Sequence, residues 1–168
     1  MTTFTKLGVG NDIVKALEDM KITTPSEIQE KAIPVALKGK DIIGGSATGS
    51  GKTLVFAAPI IENLKPGEYV QALILTPTRE LAIQVSDSVK KFATYKDINI
   101  TSVYGGVGIE PQIKKIADAD VVVGTPGRIL DHMERKSLRL DHIQFLVLDE
   151  VDRMFYMGFY KDVEHIIS

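Results

Sequence analysis

The chain has 168 residues, no cysteine, three histidines and a formal net charge of −2, with 44% hydrophobic and 25% charged residues. This is one domain's worth of chain with an ordinary globular composition. It excludes a disulfide framework and a thiol metal site, argues against a histidine zinc site, and gives no global basic signal for nucleic acid. No apolar run approaches the ~18 residues of a membrane span, and the N-terminus lacks the apolar run of a signal peptide. The expected compartment is the cytoplasm, with no membrane contact.

In chain order, Asn11 reads as the cap of a short helix with Ile13, Leu17 and Met20 on one face. Thr24 as N-cap, Pro25 as first helical residue and Glu27 as capping-box acid open a second helix through Ile28, Ile33 and Leu37. Pro34 is expected to kink or break it. Asp41-Ile42-Ile43 reads as a β-favouring stub leading into Gly44-Gly45-Ser46-Ala47-Thr48-Gly49-Ser50-Gly51-Lys52-Thr53, followed by an apolar, helix-compatible run from Leu54 to Ile61. Strand, glycine-rich turn, Gly-Lys-Thr and helix is how a chain builds a phosphate cradle. The glycines let backbone N–H groups converge, and the helix N-terminus adds about half a positive charge. Lys52 can reach the outer phosphates, and the Thr53 hydroxyl can ligate Mg²⁺. Ser46 stands where the strict pattern wants Gly. The bland reading is a flexible Gly/Ser turn; the place of Gly51-Lys52-Thr53 at the strand-to-helix change weighs against it.

After a turn at Lys65-Pro66-Gly67-Glu68, Val70 to Leu75 reads as a buried parallel strand. Thr76-Pro77-Thr78 leads into a helix with Leu81, Val85, Val89 and Phe92 at helical spacing. Ile98 to Tyr104 is a strand ending in Gly105-Gly106, and Pro111 fits the first turn of a helix carrying Ile113 and Ile116. Val121-Val122-Val123 is a strand, and Thr125-Pro126 opens a helix with Ile129, Leu130 and Met133. Phe145 to Leu148 is a strand closed by Asp149-Glu150. Strands alternating with helices predict an α/β domain with a mainly parallel sheet.

A carboxylate at a strand's C-terminal end faces the crevice where ligands bind in open α/β sheets. Asp149 would hold Mg²⁺ through water, and Glu150 would orient or deprotonate an attacking water. An acidic pair alone is more often a turn or cap; beside Gly51-Lys52-Thr53 it gains weight. Three further strand ends carry loops suited to a sugar-phosphate backbone: Pro77-Thr78-Arg79, Gly105-Gly106 and Thr125-Pro126-Gly127-Arg128. Capping plus a surface Arg explains any one of them taken alone.

Taken together and in order, these motifs resemble the first RecA-like domain of a DEAD-box RNA helicase. The resemblance covers nearly the whole chain and rests on Pro25 to Gln29, Thr48 to Thr53, Pro77 to Ala82, Gly105-Gly106, Thr125 to Arg128 and Asp149-Glu150-Val151-Asp152. It implies that Gln29 reads adenine, with Ser26 beside it in place of the usual Thr, and that Phe4 stacks on the base. It implies that Thr48, Gly49, Ser50, Gly51, Lys52 and Thr53 bind the nucleotide, and that Thr53 and Asp149 serve the metal. Lys52, Asp149 and Glu150 would be catalytic, and Asp152 would couple hydrolysis to the rest of the machine. Pro77, Thr78, Arg79, Gly105, Gly106, Thr125, Pro126, Gly127 and Arg128 would grip RNA by its backbone. The implied cofactors are ATP and Mg²⁺. Departures are Lys21 in place of Gly, Gly45-Ser46-Ala47, Val151 in place of Ala, and Phe155-Tyr156 in place of Leu-Asp. The aromatic and methionine cluster from Met154 to Tyr160 reads as core or domain-interface packing.

The implied fold is a three-layer αβα P-loop NTPase (RecA-like) domain over residues 1–168, with a mainly parallel sheet truncated before its last strands and a second RecA-like domain absent. In this family a strand missing here lies between the cradle strand and the Asp149-Glu150 strand. The gap can stay open, close by about one strand spacing of ~4.8 Å, or be filled by strand donation from another chain. The expectation is a donated strand or a longer parent chain. The expected function is the ATP-binding domain of an RNA helicase that couples ATP hydrolysis to RNA duplex unwinding or RNP remodelling. Alone, the chain is expected to bind nucleotide but hydrolyse poorly, since an arginine finger from the second domain can be worth ~10³–10⁵ in rate. One alternative is a non-catalytic nucleotide- or RNA-binding module or incomplete remnant, supported by the truncation, Lys21 and Val151. Another is a DNA translocase or another nucleotide-driven motor, which does not account for Phe4, Gln29 and Thr125 to Arg128 together.

Overall fold

Continuous runs of β-branched and leucine residues make the sheet. The computed structural model describes every residue except Ser46 and Thr48, so the Thr48 part of the cradle expectation lies outside the described residues. Helices α1 (Asn11–Asp19), α2 (Glu27–Leu37) and α3 (Lys52–Asn63) come first. They are followed by β1 (Ala72–Leu75), α4 (Arg79–Phe92), β2 (Ile100–Val103), α5 (Glu110–Ala117), β3 (Val121–Gly124), α6 (Pro126–Glu134), β4 (Phe145–Leu148), α7 (Val151–Tyr156) and α8 (Tyr160–Ile167). The sheet is wholly parallel in the order β2-β3-β1-β4. Contacts divide the chain into two units, Met1–Lys65 with Ser88–Asp97, and Pro66–Asp87 with Ile98–Ser168.

In the first unit, α2 packs on α3. Ile33 of α2 and Leu54, Ile60 and Ile61 of α3 are fully buried. The start of α1 is capped from a distance. Gly10 rather than Asn11 is the N-cap, and its N–H donates to Glu62 Oε1 at 2.7 Å, a group no local pattern reveals. The helix ends in a Schellman motif: Lys21 N donates to Glu18 O and Ile22 N to Leu17 O, both at 2.9 Å. Lys21 has φ 60°, the left-handed conformation in which glycine is unstrained. The last turns of α4 belong to this unit. After them Tyr95 hydrogen-bonds Asp19 and lies under Lys15, 4.3 Å from ring centroid to Nζ.

The second unit holds the sheet. β1 and β3 are buried along their whole length, as continuous apolar strands require. Leu73, Leu75, Val103, Val122, Ile129, Met154 and Ile166 belong to one core, and α6 packs on α8. At the amino end of the sheet, the buried Asp120 carboxylate accepts N–H bonds from Asn99 (2.8 Å) and Gly67 (3.3 Å).

Several expectations are corrected. Asp41-Ile42-Ile43 is not a strand: it pairs with none of the four, and Ile43 is fully exposed. A three-residue stub becomes a strand only where a neighbour takes its backbone groups. The α2 cap falls at Ser26, not Thr24, with Gln29 in the role expected of Glu27. Pro34 does not break α2, which continues through it to Leu37. β1 (Ala72–Leu75) is shorter than the expected Val70 to Leu75, and β2 (Ile100–Val103) is shorter than the expected Ile98 to Tyr104. Only the core half of the reading for the aromatic cluster is narrowed: Met154 is core and Phe159 packs on it, whereas Phe155, Tyr156, Met157 and Tyr160 are exposed.

Candidate functional site

In the first unit the cradle is latched by α2. Ser26 and Gln29 form a full capping box: Ser26 Oγ accepts from Gln29 N (3.4 Å) and Gln29 Oε1 accepts from Ser26 N (2.9 Å). The same side chains also reach the glycine loop. Ser26 Oγ donates to Ser50 O at 2.6 Å, and Gln29 Nε2 donates to Gly51 O at 3.0 Å. The segment expected to read a base therefore fixes the backbone expected to hold phosphate. Gly51 is the N-cap of α3 with φ 85°, and a Cβ there would collide with the Gln29 amide. The cap makes no side-chain hydrogen bond and the first turn holds no acidic residue. Lys52 and Thr53 open the helix, both half-buried. Phe4 is 4% exposed, in a tight turn whose carbonyl accepts from Leu7 and Val9 N–H.

In the second unit the parallel register aligns the strand tips. Val103 lies opposite Gly124, Gly124 opposite Leu75, and Leu75 opposite Leu148. The ladder continues one step further: Thr125 N donates to Val103 O, Thr76 N to Gly124 O, and Asp149 N to Leu75 O. Pro77-Thr78-Arg79, Gly105-Gly106, Thr125 to Arg128 and Asp149-Glu150 consequently all leave from one edge of this unit, the carboxyl edge where open parallel sheets receive ligands. Gly124 fits because it has no side chain; a Cβ would press on Ile129 and Val103.

Asp149 is buried at 5% exposure. Glu150 follows in the left-handed region (φ 53°) as the N-cap of α7, and Arg153 Nη1 donates to its Oε2 at 3.3 Å. Asp152 is exposed in the first turn of α7, while Val151 packs against the core. Thr78 caps α4, its Oγ1 accepting from Leu81 N at 3.2 Å. Exposed Arg79 lies over the Tyr104 ring, 4.9 Å from Cζ to centroid.

Two residues the sequence reading passed over organise this edge. Gln112, buried in α5, donates Nε2 to Tyr104 O (3.0 Å). Its Oε1 lies 3.1 Å from Arg128 Nη1 and 3.0 Å from His132 Nε2. Arg128 also donates Nη1 (3.2 Å) and Nη2 (3.1 Å) to Val107 O. Since Oε1 only accepts, His132 carries a proton on Nε2; its Nδ1 lies 2.8 Å from Ser137 Oγ, and the Ser137 hydroxyl also reaches His132 O at 3.1 Å. Burial first, and then the Arg128 guanidinium, hold His132 below the usual imidazole range. The only sequence signal for these residues was spacing: Gln112 shares a helix face with Ile116, and His132 with Ile129.

Comparison with known proteins decides the family. The DEAD/DEAH box helicase family model matches residues 26–168. The chain belongs to this family. It is 47% identical over 170 residues to the DEAD-box ATP-dependent RNA helicase CshA of Geobacillus kaustophilus, covering 100% of this chain and 36% of that protein. It is 48% identical over 170 residues to the ATP-dependent RNA helicase CshA of Listeria monocytogenes, covering 100% of this chain and 33% of the relative. The DEAD-box fold is equally clear. A crystal structure of a DEAD box protein from the hyperthermophile Methanococcus jannaschii superposes with a TM-score of 0.94 at 45% identity, covering 99% of this chain and 46% of that one. The chain thus spans about a third of the length of these two relatives, and its parallel sheet with flanking helices is a DEAD-box RecA-like fold. No described helix is long and apolar enough to cross a membrane.

Proposed function

We propose that residues 1–168 act as the nucleotide-binding, N-terminal RecA-like domain of an ATP-dependent RNA helicase whose second RecA-like domain completes the enzyme. The observation that carries this reading is the double latch of Ser26 and Gln29 on Ser50 and Gly51. A glutamine amide offers the donor and acceptor that adenine's Hoogsteen edge requires. Here that amide lies beside a left-handed glycine turn and a helix N-terminus suited to phosphate. Phe4 would stack on the base, and Gly49, Ser50, Gly51, Lys52 and Thr53 would hold the phosphates. Among the described residues no cluster of three or more His, Asp or Glu side chains forms a ready cation cage. Mg²⁺ needs none, since it is commonly held by one or two protein oxygens plus substrate phosphates. The Thr53 hydroxyl and the Asp149 carboxylate are donors of that kind; the metal would neutralise phosphate charge, and Glu150 would orient the attacking water.

The carboxyl edge carrying Pro77, Thr78, Arg79, Gly105, Gly106 and Thr125 to Arg128 would receive the RNA sugar-phosphate backbone, which explains binding without sequence readout. Asp152 would pass the state of the nucleotide onward. Hydrolysis by this chain alone would be slow, and a cytoplasmic location fits the role. A further strand, from the parent chain or another chain, would pair with the outer edge of β4. This is supported by the pairing of β4 with β1 alone among the described strands and by the 45% exposure of Leu146. The case for a non-catalytic remnant is weakened: Lys21 is accommodated in a Schellman turn and Val151 packs on the core.

Titration of the chain with ATP or GTP in the presence of Mg²⁺ tests the nucleotide reading. ATP is expected to bind at least about tenfold more tightly, with the preference lost in Gln29→Ala. Equal binding of both nucleotides by the unmodified chain would refute adenine recognition.

A further inference from the structure

We infer that Gln112 is a positioning residue that sets the RNA-facing edge by fastening the loop after β2 to α6, and that Arg128 acts on RNA through this fastening. The inference rests on the proposed RNA reading for its consequence, but not for its geometry. Gln112 is 6% exposed, with its amide nitrogen on the Tyr104 carbonyl and its amide oxygen facing Arg128 and His132. Arg128 extends the tie by placing two donors on the Val107 carbonyl, so the carbonyls on both sides of Gly105-Gly106 are held. Tyr104 in turn carries Arg79 over its ring. One buried amide thereby joins the tips of β1, β2 and β3: Arg79 from the first loop, Tyr104 to Val107 from the second, Arg128 from the third. The Arg128 side chain is only 14% exposed, and its Nε lies 3.9 Å from Asp131 Oδ2. A guanidinium committed in this way is a poor phosphate contact and a good fork for two carbonyl-facing bonds. Gly105 and Gly106 are exposed, with room beside them, so the backbone offered to a ligand depends on how its two ends are clamped.

The test combines ¹⁵N relaxation with binding of a fluorescein-labelled single-stranded oligo(U) RNA, on the 168-residue chain and its Gln112→Ala, Arg128→Lys and double variants. In the unmodified chain the order parameters of Gly105 to Gly108 should lie near the rigid value of ~0.85. In each variant they should fall below ~0.6, while those of β1 and β3 stay unchanged. Lysine keeps the charge but not the fork, so Arg128→Lys should behave like Gln112→Ala. Each single variant should weaken RNA binding about tenfold, and the double variant should be no worse than either single one. If Gln112→Ala does not fold, Arg128→Lys carries the same order-parameter test. A loop as rigid in the variants as in the parent, or additive losses in the double variant, would overturn the inference. If the unmodified chain binds no RNA, the functional reading fails, and the relaxation data still decide whether Gln112 and Arg128 hold the loop.

Discussion

Gln29 and Gln112 each donate an amide hydrogen to a carbonyl in or beside a glycine-bearing loop, and each is 6% exposed, yet their oxygens serve different partners. Gln29 Oε1 accepts a neutral backbone N–H from its own helix cap. Gln112 Oε1 faces a guanidinium and an imidazole. Neutral hydrogen bonds contribute about 0.5–1.5 kcal/mol each and those to charged groups about 1.5–3 kcal/mol. The first arrangement is therefore a latch that a base offering the same donor and acceptor can displace at modest cost. The second is a fixture. On the proposed reading the first belongs to a nucleotide pocket, which has to exchange its contents, and the second to a surface gripping a polymer backbone, which has to keep its shape.

Breaking each side measures the difference. Gln112→Ala, which leaves Tyr104 O, Arg128 and His132 short of a partner, should cost about 3 kcal/mol in urea denaturation. Gln29→Ala should cost about 1 kcal/mol; equal losses would erase the distinction. Gly51→Ala attacks the latch from the other side, combining left-handed strain with displacement of the Gln29 amide. It should destabilise the chain by about 2 kcal/mol and weaken ATP binding at least about tenfold.

A pH titration separates the two sides without mutation. The folded pKa of His132 is depressed, so the unfolded chain binds the additional proton. Its contribution is complete above the unfolded imidazole value of ~6.5 and is lost as pH falls through that value toward the folded one. Thermal melts should show this slope, with loosening first at the α6 end of the second unit. A His132 ring signal titrating at or above ~6.5 in NMR would contradict it. The smallest effect concerns helix ends. Lys21→Gly relieves a φ of 60° but adds unfolded-state freedom, so a gain of no more than ~1 kcal/mol is expected from melting curves.

The four strands, the helix opening at Lys52 and the strand end at Asp149 were legible because each is a local pattern: a continuous apolar run, a glycine turn before a helix-compatible run, carboxylates after a strand. Caps were less so. Thr24 to Glu27 and Ser26 to Gln29 both satisfy the capping-box spacing; Ser26 and Gln29, the pair that caps α2, also bond to Ser50 and Gly51, partners remote in sequence. The stub before the cradle failed as a strand for a related reason, since pairing is a property of neighbours and not of the segment. The Gln112 network was invisible. It draws Gln112 from α5, Arg128 and His132 from α6, Ser137 from the turn after α6, and Tyr104 and Val107 from the loop after β2, and of these only Arg128 belongs to a motif legible by itself.

Glu150 occupies the left-handed basin at φ 53° and ψ 50°, at the junction between the β4 tip and α7. One pair of torsions thus sets both the direction of its Cα–Cβ bond and the azimuth from which the next helix departs. Rotating that joint to an unstrained setting would swing the root of the acid and the helix together.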